Sequence, residues 1–350
     1  MKAAVFEGAG RLRLKDVEEP VLGRTTDALI RVKGVGICGT DLHILQVPPA
    51  HPAKLNNILG HEFTGEIVEL GSGIHDFKVG ERVLIDPHPG CGICDECRRG
   101  FPDNCIPLYE SCEEAGHPNT IGIFSPGAYA KYVIVPKQSL YRIDAKVPSK
   151  IAALAEPLSC VINAASKLKV HPGSFVAILG AGPIGLLFTM LMKASGASKI
   201  IVSEPAEFRR KAALDCGADI VVDPKREELQ DVVNKQMGKG ADVCIEAVGP
   251  LLPLAIKVVR AGGEVLQFGH DETVEPRVPV GVLLKKEVVI YGAFIGKQSF
   301  EKTARVMESG KLPLEKVVSH VLPLSRIQEG IDILRRGEGL KVIITPDEEE

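Results

Sequence analysis

Cys91, Cys94, Cys97 and Cys105 stand in the stretch CGICDECRRGFPDNC and follow C-x2-C-x2-C-x7-C. Four thiolates at such short separations close a tetrahedral shell around zinc and leave no position for water or substrate. An iron–sulfur cluster competes for C-x2-C-x2-C spacing. No Pro follows the fourth Cys, however, and no second such run exists in the chain. A saturated zinc cannot act as a Lewis acid, so the cluster is expected to be structural and the chemistry must sit elsewhere.

A second set of candidates is scattered. GICGTDLH, residues 36–43, supplies Cys38, Thr40, Asp41 and His43, and GHEFTGEIVELGSGI, residues 60–74, supplies His61 and Glu62. AEPLSC adds Glu156. Taken singly, each has an ordinary reading as a small core residue, a satisfied histidine or a helix-start glutamate. A third candidate is GAGPIG, with Gly180, Gly182, Pro183, Ile184 and Gly185, which fits G-x-G-x-x-G between the strand-like SFVAIL and the helix-like PIGLLFTML. In that context Gly180 permits the tight turn, Gly182 lets a pyrophosphate approach the backbone, and Gly185 lets helix pack on strand. Glu204 ends the next strand, KIIVSE, about 20 residues on, where an acid accepts hydrogen bonds from the adenosine ribose. A carboxylate there repels a 2′-phosphate and favours NAD, while Arg209 and Arg210 just beyond could accommodate that phosphate.

The elements that must position these residues change character along the chain. Up to about residue 150 the text alternates in short strands broken by Gly and Pro, such as LIRVKGVGIC, GEIVELGSG and AYAKYVIVP, which suggests an all-β barrel-like or sandwich-like unit. From Ile151 onward strands alternate with helices, which argues for an α/β unit with a parallel, doubly wound sheet. The stretch SFEKTARVMESG to IDILRRGE reads as helical, KVIITP as a strand, and the closing DEEE as a frayed end.

Composition bounds the partners. With 350 residues the chain suits two domains, and 42 basic against 45 acidic side chains, net −3, give no sign of a nucleic-acid or anionic-membrane surface. The opening MKAAVFEGAGRLRLKD lacks a signal peptide's apolar core, and no apolar run reaches the roughly 20 residues of a spanning helix. A cytoplasmic location is therefore expected, where clustered cysteines hold metal rather than disulfides.

Taken together, the motifs resemble those of the zinc-dependent medium-chain dehydrogenases, the alcohol, polyol and threonine dehydrogenase group. Gly60-His61-Glu62, Gly65, Gly71 and Ile74 satisfy G-H-E-x2-G-x5-G-x2-[IV], and Cys38-Gly39-Thr40-Asp41, the four-cysteine lobe and the nucleotide loop follow in the expected order. The resemblance covers essentially the whole chain. It implies a GroES-like catalytic domain over residues 1–155 and 295–350 with a zinc lobe at 88–108, and a Rossmann domain over 156–294. It also implies two zinc ions per subunit. One is held by the four lobe cysteines, and the other, catalytic, by Cys38, His61 and a carboxylate, Glu62 or Glu156. Thr40 and His43 are then a proton relay, and Phe268 and Ala293 join the Gly loop, Glu204 and Arg209 around NAD. A thiolate–imidazole–carboxylate set leaves zinc an open fourth position, where a substrate hydroxyl's pKa falls.

The expected activity is hydride transfer from a secondary alcohol to NAD, giving the ketone. The substrate would be a polyol such as sorbitol or iditol, or an amino alcohol such as L-threonine; a simple secondary alcohol is the alternative. Relatives suggest a homodimer or homotetramer. A zinc-ribbon binding module is a different class of reading, disfavoured by the absence of a basic, aromatic-laced stripe. A metal-free quinone reductase is disfavoured by intact Cys38, His61 and Glu62. Glu110, Glu113 and Glu114, after the lobe, are read as facing water rather than a substrate amino group.

Overall fold

The computed structural model describes residues 1–112, 117–271 and 274–346. Glu113, Glu114 and the closing DEEE lie outside the described residues, whereas Glu110 is exposed. Two compact units form: one from Met1–Ser159, Gly296–Ser309 and Val318 onward, the other from Cys160–Ile295 and Gly310–Val317.

Period-two segments build the first unit. Asp27–Gly36 fully buries Ala28, Ile30 and Val32, while Leu29, Arg31 and Lys33 between them stay partly exposed. Burying each branched aliphatic side chain contributes roughly 1.5–3 kcal/mol, so this face holds the strand in register. It pairs antiparallel with Glu62–Leu70 along one edge, and with Tyr132–Pro136 and Lys341–Thr345 along the other. The resulting seven-stranded sheet also contains Val318–Pro323, Arg82–Ile85 and Leu140–Arg142, beside a small sheet of Leu12–Asp16, Lys2–Phe6 and Asn57–Ile58.

Part of the expected helical stretch after residue 298 is strand. Phe300–Glu308 and Ile327–Arg335 are helices, but Val318–Pro323 between them runs parallel to Lys341–Thr345. The helical pattern on either side masks that strand, whose stabilising partner lies further along the chain. Phe300–Glu308 buries Phe300, Thr303, Ala304 and Met307, an i, i+3, i+4, i+7 stripe.

In the second unit six strands pair wholly in parallel, in the order Ile220–Val222, Lys199–Ser203, Phe175–Leu179, Ala241–Glu246, Val259–Gln267, Val289–Gly292. That is the Rossmann order 3-2-1-4-5-6, with its reversal between the first and fourth strands. Val176, Ala177, Ile178 and Leu179, and likewise Ile200, Ile201 and Val202, have no exposed surface, as strands covered on both faces require. The α/β fold expected from the sequence, a doubly wound sheet and a separate β-rich unit, is present.

Candidate metal centre and coenzyme loop

The strand Asp27–Gly36 delivers Cys38 to the N-cap of a short helix, Gly39–Ile44. Asp41, one turn into that helix, reaches back so that its Oδ2 accepts the Cys38 N–H at 2.9 Å. The neighbouring strand begins at Glu62, directly opposite Gly36 in the ladder. Any side chain at position 36 would run into Glu62 Oε2, so only glycine lets the carboxylate fold over the strand.

Ligand atoms of Cys38, His61 and Glu62 come within 4.8 Å of one another. His61 and Glu62 are buried and Cys38 half-buried. Lys341, itself 4% exposed, grips both Glu62 oxygens at 2.8 and 2.7 Å and donates to the Ile37 carbonyl at 3.2 Å. Burial opposes a charged Lys341, but Glu62, Cys38 and Glu156 together outweigh it and raise the ammonium's pKa. Glu156, buried in the first turn of the helix Ala155–Ala165, is not one of the converging trio; its field nevertheless reaches His61 and Lys341. Thr40 Oγ1 lies 3.6 Å from Cys38 Sγ, and His43, three residues on, is exposed.

These residues fit a metal by two tests. Thiolate, imidazole and carboxylate are the donor types zinc takes. His61 Nδ1 and Asp41 Oδ1 are also buried without a hydrogen-bond partner, 4.0 Å apart, as when a ligating histidine turns its second nitrogen toward a carboxylate. Burial works against an imidazolium here, yet the Cys38 thiolate, Asp41 and Glu156 prevail and push His61 up to about 10. Electrostatically the pocket is an anionic nest that favours a cation.

Cys91, Cys94, Cys97 and Cys105 form the second converging group, again within 4.8 Å, and none of the nine cysteines is in a disulfide. The Cys94 N–H donates to Cys91 Sγ at 3.3 Å and the Cys91 N–H to Cys105 Sγ at 3.2 Å. Hydrogen bonds from backbone N–H groups hold the Cys94 thiol down to about 6 and lower that of Cys91, whereas burial pushes Cys105 up to about 12.

In the second unit Gly180 has φ +96° and donates its N–H to the Ser203 carbonyl at 2.8 Å. A Cβ on Gly185 would strike the Gly180 carbonyl, whereas one on Gly182 would meet nothing within 4 Å. The first is the close helix–strand approach, and the second is open space for an incoming phosphate. Pro183 opens the helix Pro183–Ala194 at N1, with Ile184 following it. Glu204 is more constrained than its motif suggests. Its Oε2 accepts the Ala181 N–H and its Oε1 the Ala206 N–H, both at 2.9 Å, and it is 5% exposed. It therefore braces the Gly loop. Arg210 is committed to the Glu204 and Pro205 carbonyls and to Asp223, whereas Arg209 Nε is buried without a partner. Phe268 meets Phe188 edge-on at 5.2 Å, and Ala293 is half-buried just beyond the last strand of the sheet.

Asp86, in the first unit and 5% exposed, accepts the His88 N–H at 2.8 Å. Burial raises its carboxyl from an ordinary 3.8 to about 7, with Glu156 adding to the effect. A folded-state value above the unfolded one means the charged form destabilises the fold. The penalty is absent below about pH 4, grows through the window up to 7, and then stays constant. At ~1.4 kcal/mol per pKa unit it reaches at most ~4 kcal/mol. Asp86→Asn is therefore expected to raise the melting temperature at pH 8 and leave it unchanged at pH 4. Equal melting curves at both pH values would refute the penalty.

Two residues of this centre have no motif of their own to announce a role: Tyr129, whose hydroxyl donates to Asp41 Oδ2 at 2.8 Å, and Lys341 as the clamp on Glu62. A lysine opening a strand of β-branched residues, KVIIT, was the available signal for the second.

Comparison with known proteins agrees with this geometry. Residues 24–145 match the alcohol dehydrogenase GroES-like domain and residues 183–309 the zinc-binding dehydrogenase family. The chain is 32% identical to the sorbitol dehydrogenase of Bombyx mori, covering 98% of this chain and 97% of that one. It is 34% identical to the L-threonine 3-dehydrogenase of Pyrococcus horikoshii, covering 94% and 92%. A zinc-binding dehydrogenase from Sinorhizobium meliloti 1021, solved with NADP, superposes with a TM-score of 0.90 at 29% identity over 99% of each chain. The chain belongs to the zinc-dependent medium-chain dehydrogenase family, and it is an oxidoreductase of the alcohol and polyol dehydrogenase kind that uses zinc and NAD(P).

Proposed function

We propose that this enzyme oxidises a secondary alcohol bearing a neighbouring polar group, a polyol or an L-threonine-like amino alcohol, to the ketone, with NAD as acceptor. The convergence of Cys38, His61 and Glu62 carries the reading; sorbitol and threonine dehydrogenases among the relatives support the substrate class. Bound by Cys38, His61 and a carboxylate, zinc would supply Lewis acidity toward a substrate oxygen, and a coenzyme on the Gly loop would supply the hydride acceptor.

The chain's own residues do the rest. Cys38 and His61 hold the metal, and Asp41 orients the imidazole. Glu62 is the carboxylate that converges with them, with part of its charge offset by Lys341, while Glu156 contributes its field. Thr40 and His43 share one helical face at i, i+3. The half-buried Thr40 hydroxyl accepts the substrate proton as it passes its own onward, and the exposed His43 imidazole takes up the relayed proton and releases it to solvent. Cys91, Cys94, Cys97 and Cys105 hold the second, structural zinc. In the coenzyme unit the Gly loop cradles the pyrophosphate, Glu204 reads the ribose, Arg209 lies beside it, and Phe268 and Ala293 flank the nicotinamide side.

The test is a panel of polyols, L-threonine and simple secondary alcohols with NAD and with NADP, following the appearance of reduced nicotinamide. Turnover of a polyol or amino alcohol with NAD preferred is the expected result. Turnover of simple alcohols alone would overturn the substrate class, and a strong NADP preference the role of Glu204. The same reading makes the protein a cytoplasmic homo-oligomer, dimer or tetramer. In its support, the edge strand Val289–Gly292 leaves Val289 and Ile290 exposed; a monomer by sedimentation would exclude it.

A further inference from the structure

We infer that Tyr129 is a positioning residue of the metal pocket: its hydroxyl fixes the rotamer of Asp41 toward His61, and its ring sets the backbone that delivers His61. The inference rests on the proposed metal role of Cys38 and His61.

Tyr129 is 1% exposed, so its hydroxyl must find a partner inside the protein. It has two acceptors: Asp41 Oδ2 at 2.8 Å and the Gly36 carbonyl at 3.4 Å. A phenol carries one proton, and the shorter contact to the carboxylate is the stronger one. Asp41 Oδ2 thus takes two donors, the Tyr129 hydroxyl and the Cys38 N–H. Two donors on one oxygen pin the carboxylate plane and leave Oδ1 facing His61 Nδ1. With only the Cys38 N–H, the carboxylate could rotate about its Cβ–Cγ bond at little cost.

The ring acts on the other side of the pocket. Gly60, the residue before His61, has φ +98°, and a Cβ there would lie 2.9 Å from Tyr129 Cδ1 and 3.0 Å from its Cγ. Backbone bonds lock this contact: Tyr129 N–H to the Leu59 carbonyl and Ala128 N–H to the Gly60 carbonyl, both at 2.9 Å. One side chain therefore touches the segments carrying Cys38, through Asp41, and His61, through Gly60. This accounts for the glycine of the G-H-E triplet: position 60 needs a left-handed φ and no side chain because the Tyr129 ring occupies that space.

Tyr129→Phe removes the hydroxyl and keeps the ring on Gly60. Zinc retained per subunit is followed by elemental analysis as EDTA is raised, for the wild type, Tyr129→Phe, Asp41→Asn and the double variant. In Tyr129→Phe the more labile zinc should bind about tenfold more weakly, the affinity of the other zinc being unchanged. The double variant should be no worse than Asp41→Asn alone, because Tyr129 acts through that carboxylate. A labile-zinc affinity within twofold of wild type, additive losses, equal weakening of both zincs, or failure of Tyr129→Phe to fold would each overturn the role. Cys38→Ser separates the two claims. Loss of the same labile zinc upholds the metal assignment whatever Tyr129 does, and retention of both zincs overturns the assignment and the Tyr129 role with it.

Discussion

Cys38→Ser or His61→Ala is expected to lower kcat at least about a thousandfold while leaving coenzyme affinity unchanged. A Lewis acid at the reacting oxygen is worth several kcal/mol, and each ~1.4 kcal/mol is a factor of ten in rate. Serine at position 38 replaces a soft thiolate with a shorter, protonated hydroxyl, and alanine at 61 removes the imidazole altogether. Either change also leaves buried charge behind. Cys38→Ser leaves the buried Glu62 carboxylate without the thiolate it converges on, and His61→Ala leaves the buried Asp41 carboxylate facing no imidazole. The Gly loop, Glu204 and Arg209 belong to the other compact unit, so quenching or enhancement of NADH fluorescence on binding should persist. Near-normal turnover in either variant, with the labile zinc shown to be absent, would sink the metal assignment.

What the sequence made legible was whatever is local. The four-cysteine spacing, the Gly loop with its flanking strand and helix, and the apolar runs of the parallel sheet each lie within a short window. Their physics, ligand reach, φ freedom and burial on both faces, is set by neighbours along the chain. What escaped is pairing over distance. Asp41 meets Tyr129 across 88 positions and Lys341 meets Glu62 across 279. No periodicity in either segment signals these contacts: Lys341 reaches Glu62 only when Asp27–Gly36 has Glu62–Leu70 on one edge and Lys341–Thr345 on the other, and the Tyr129 segment is held separately, by bonds to Leu59 and Gly60. Val318–Pro323 escaped for the same reason, its ladder partner being the strand at the end of the chain. Glu204 shows a third case. Its position was readable from the motif, but its engagement with the Ala181 and Ala206 amides was not, since a carboxylate's second task leaves no separate mark in sequence.

Cys97→Ser is expected to do the opposite of Cys38→Ser: to remove one zinc and much of the thermal stability, while the molecules that remain folded keep a near-normal kcat. The lobe contains no strand. Its regular structure is a four-residue helix, Asp95–Arg98, a 3-10 turn, Pro102–Asn104, and the helix Ile106–Glu110, which buries none of its residues. Ile93, Phe101 and Ile106 are exposed at 71%, 44% and 48%, so the lobe buries little of its own apolar surface. Segments this short do not hold themselves in water, and in such segments metal binding free energy is folding free energy. Two side-chain contacts fasten the lobe to its unit: Lys297 Nζ lies 3.4 Å from Asp103 Oδ1 and 3.9 Å from the centre of the Phe101 ring. Both depend on the turn that Cys97 and Cys105 fix, so losing one thiolate should free the lobe and expose its apolar residues to aggregation. Melting temperature, zinc per subunit and kcat per folded molecule decide the matter together. A Cys97→Ser variant as stable as wild type that nonetheless loses turnover would put the cluster into the chemistry, which four saturating thiolates forbid.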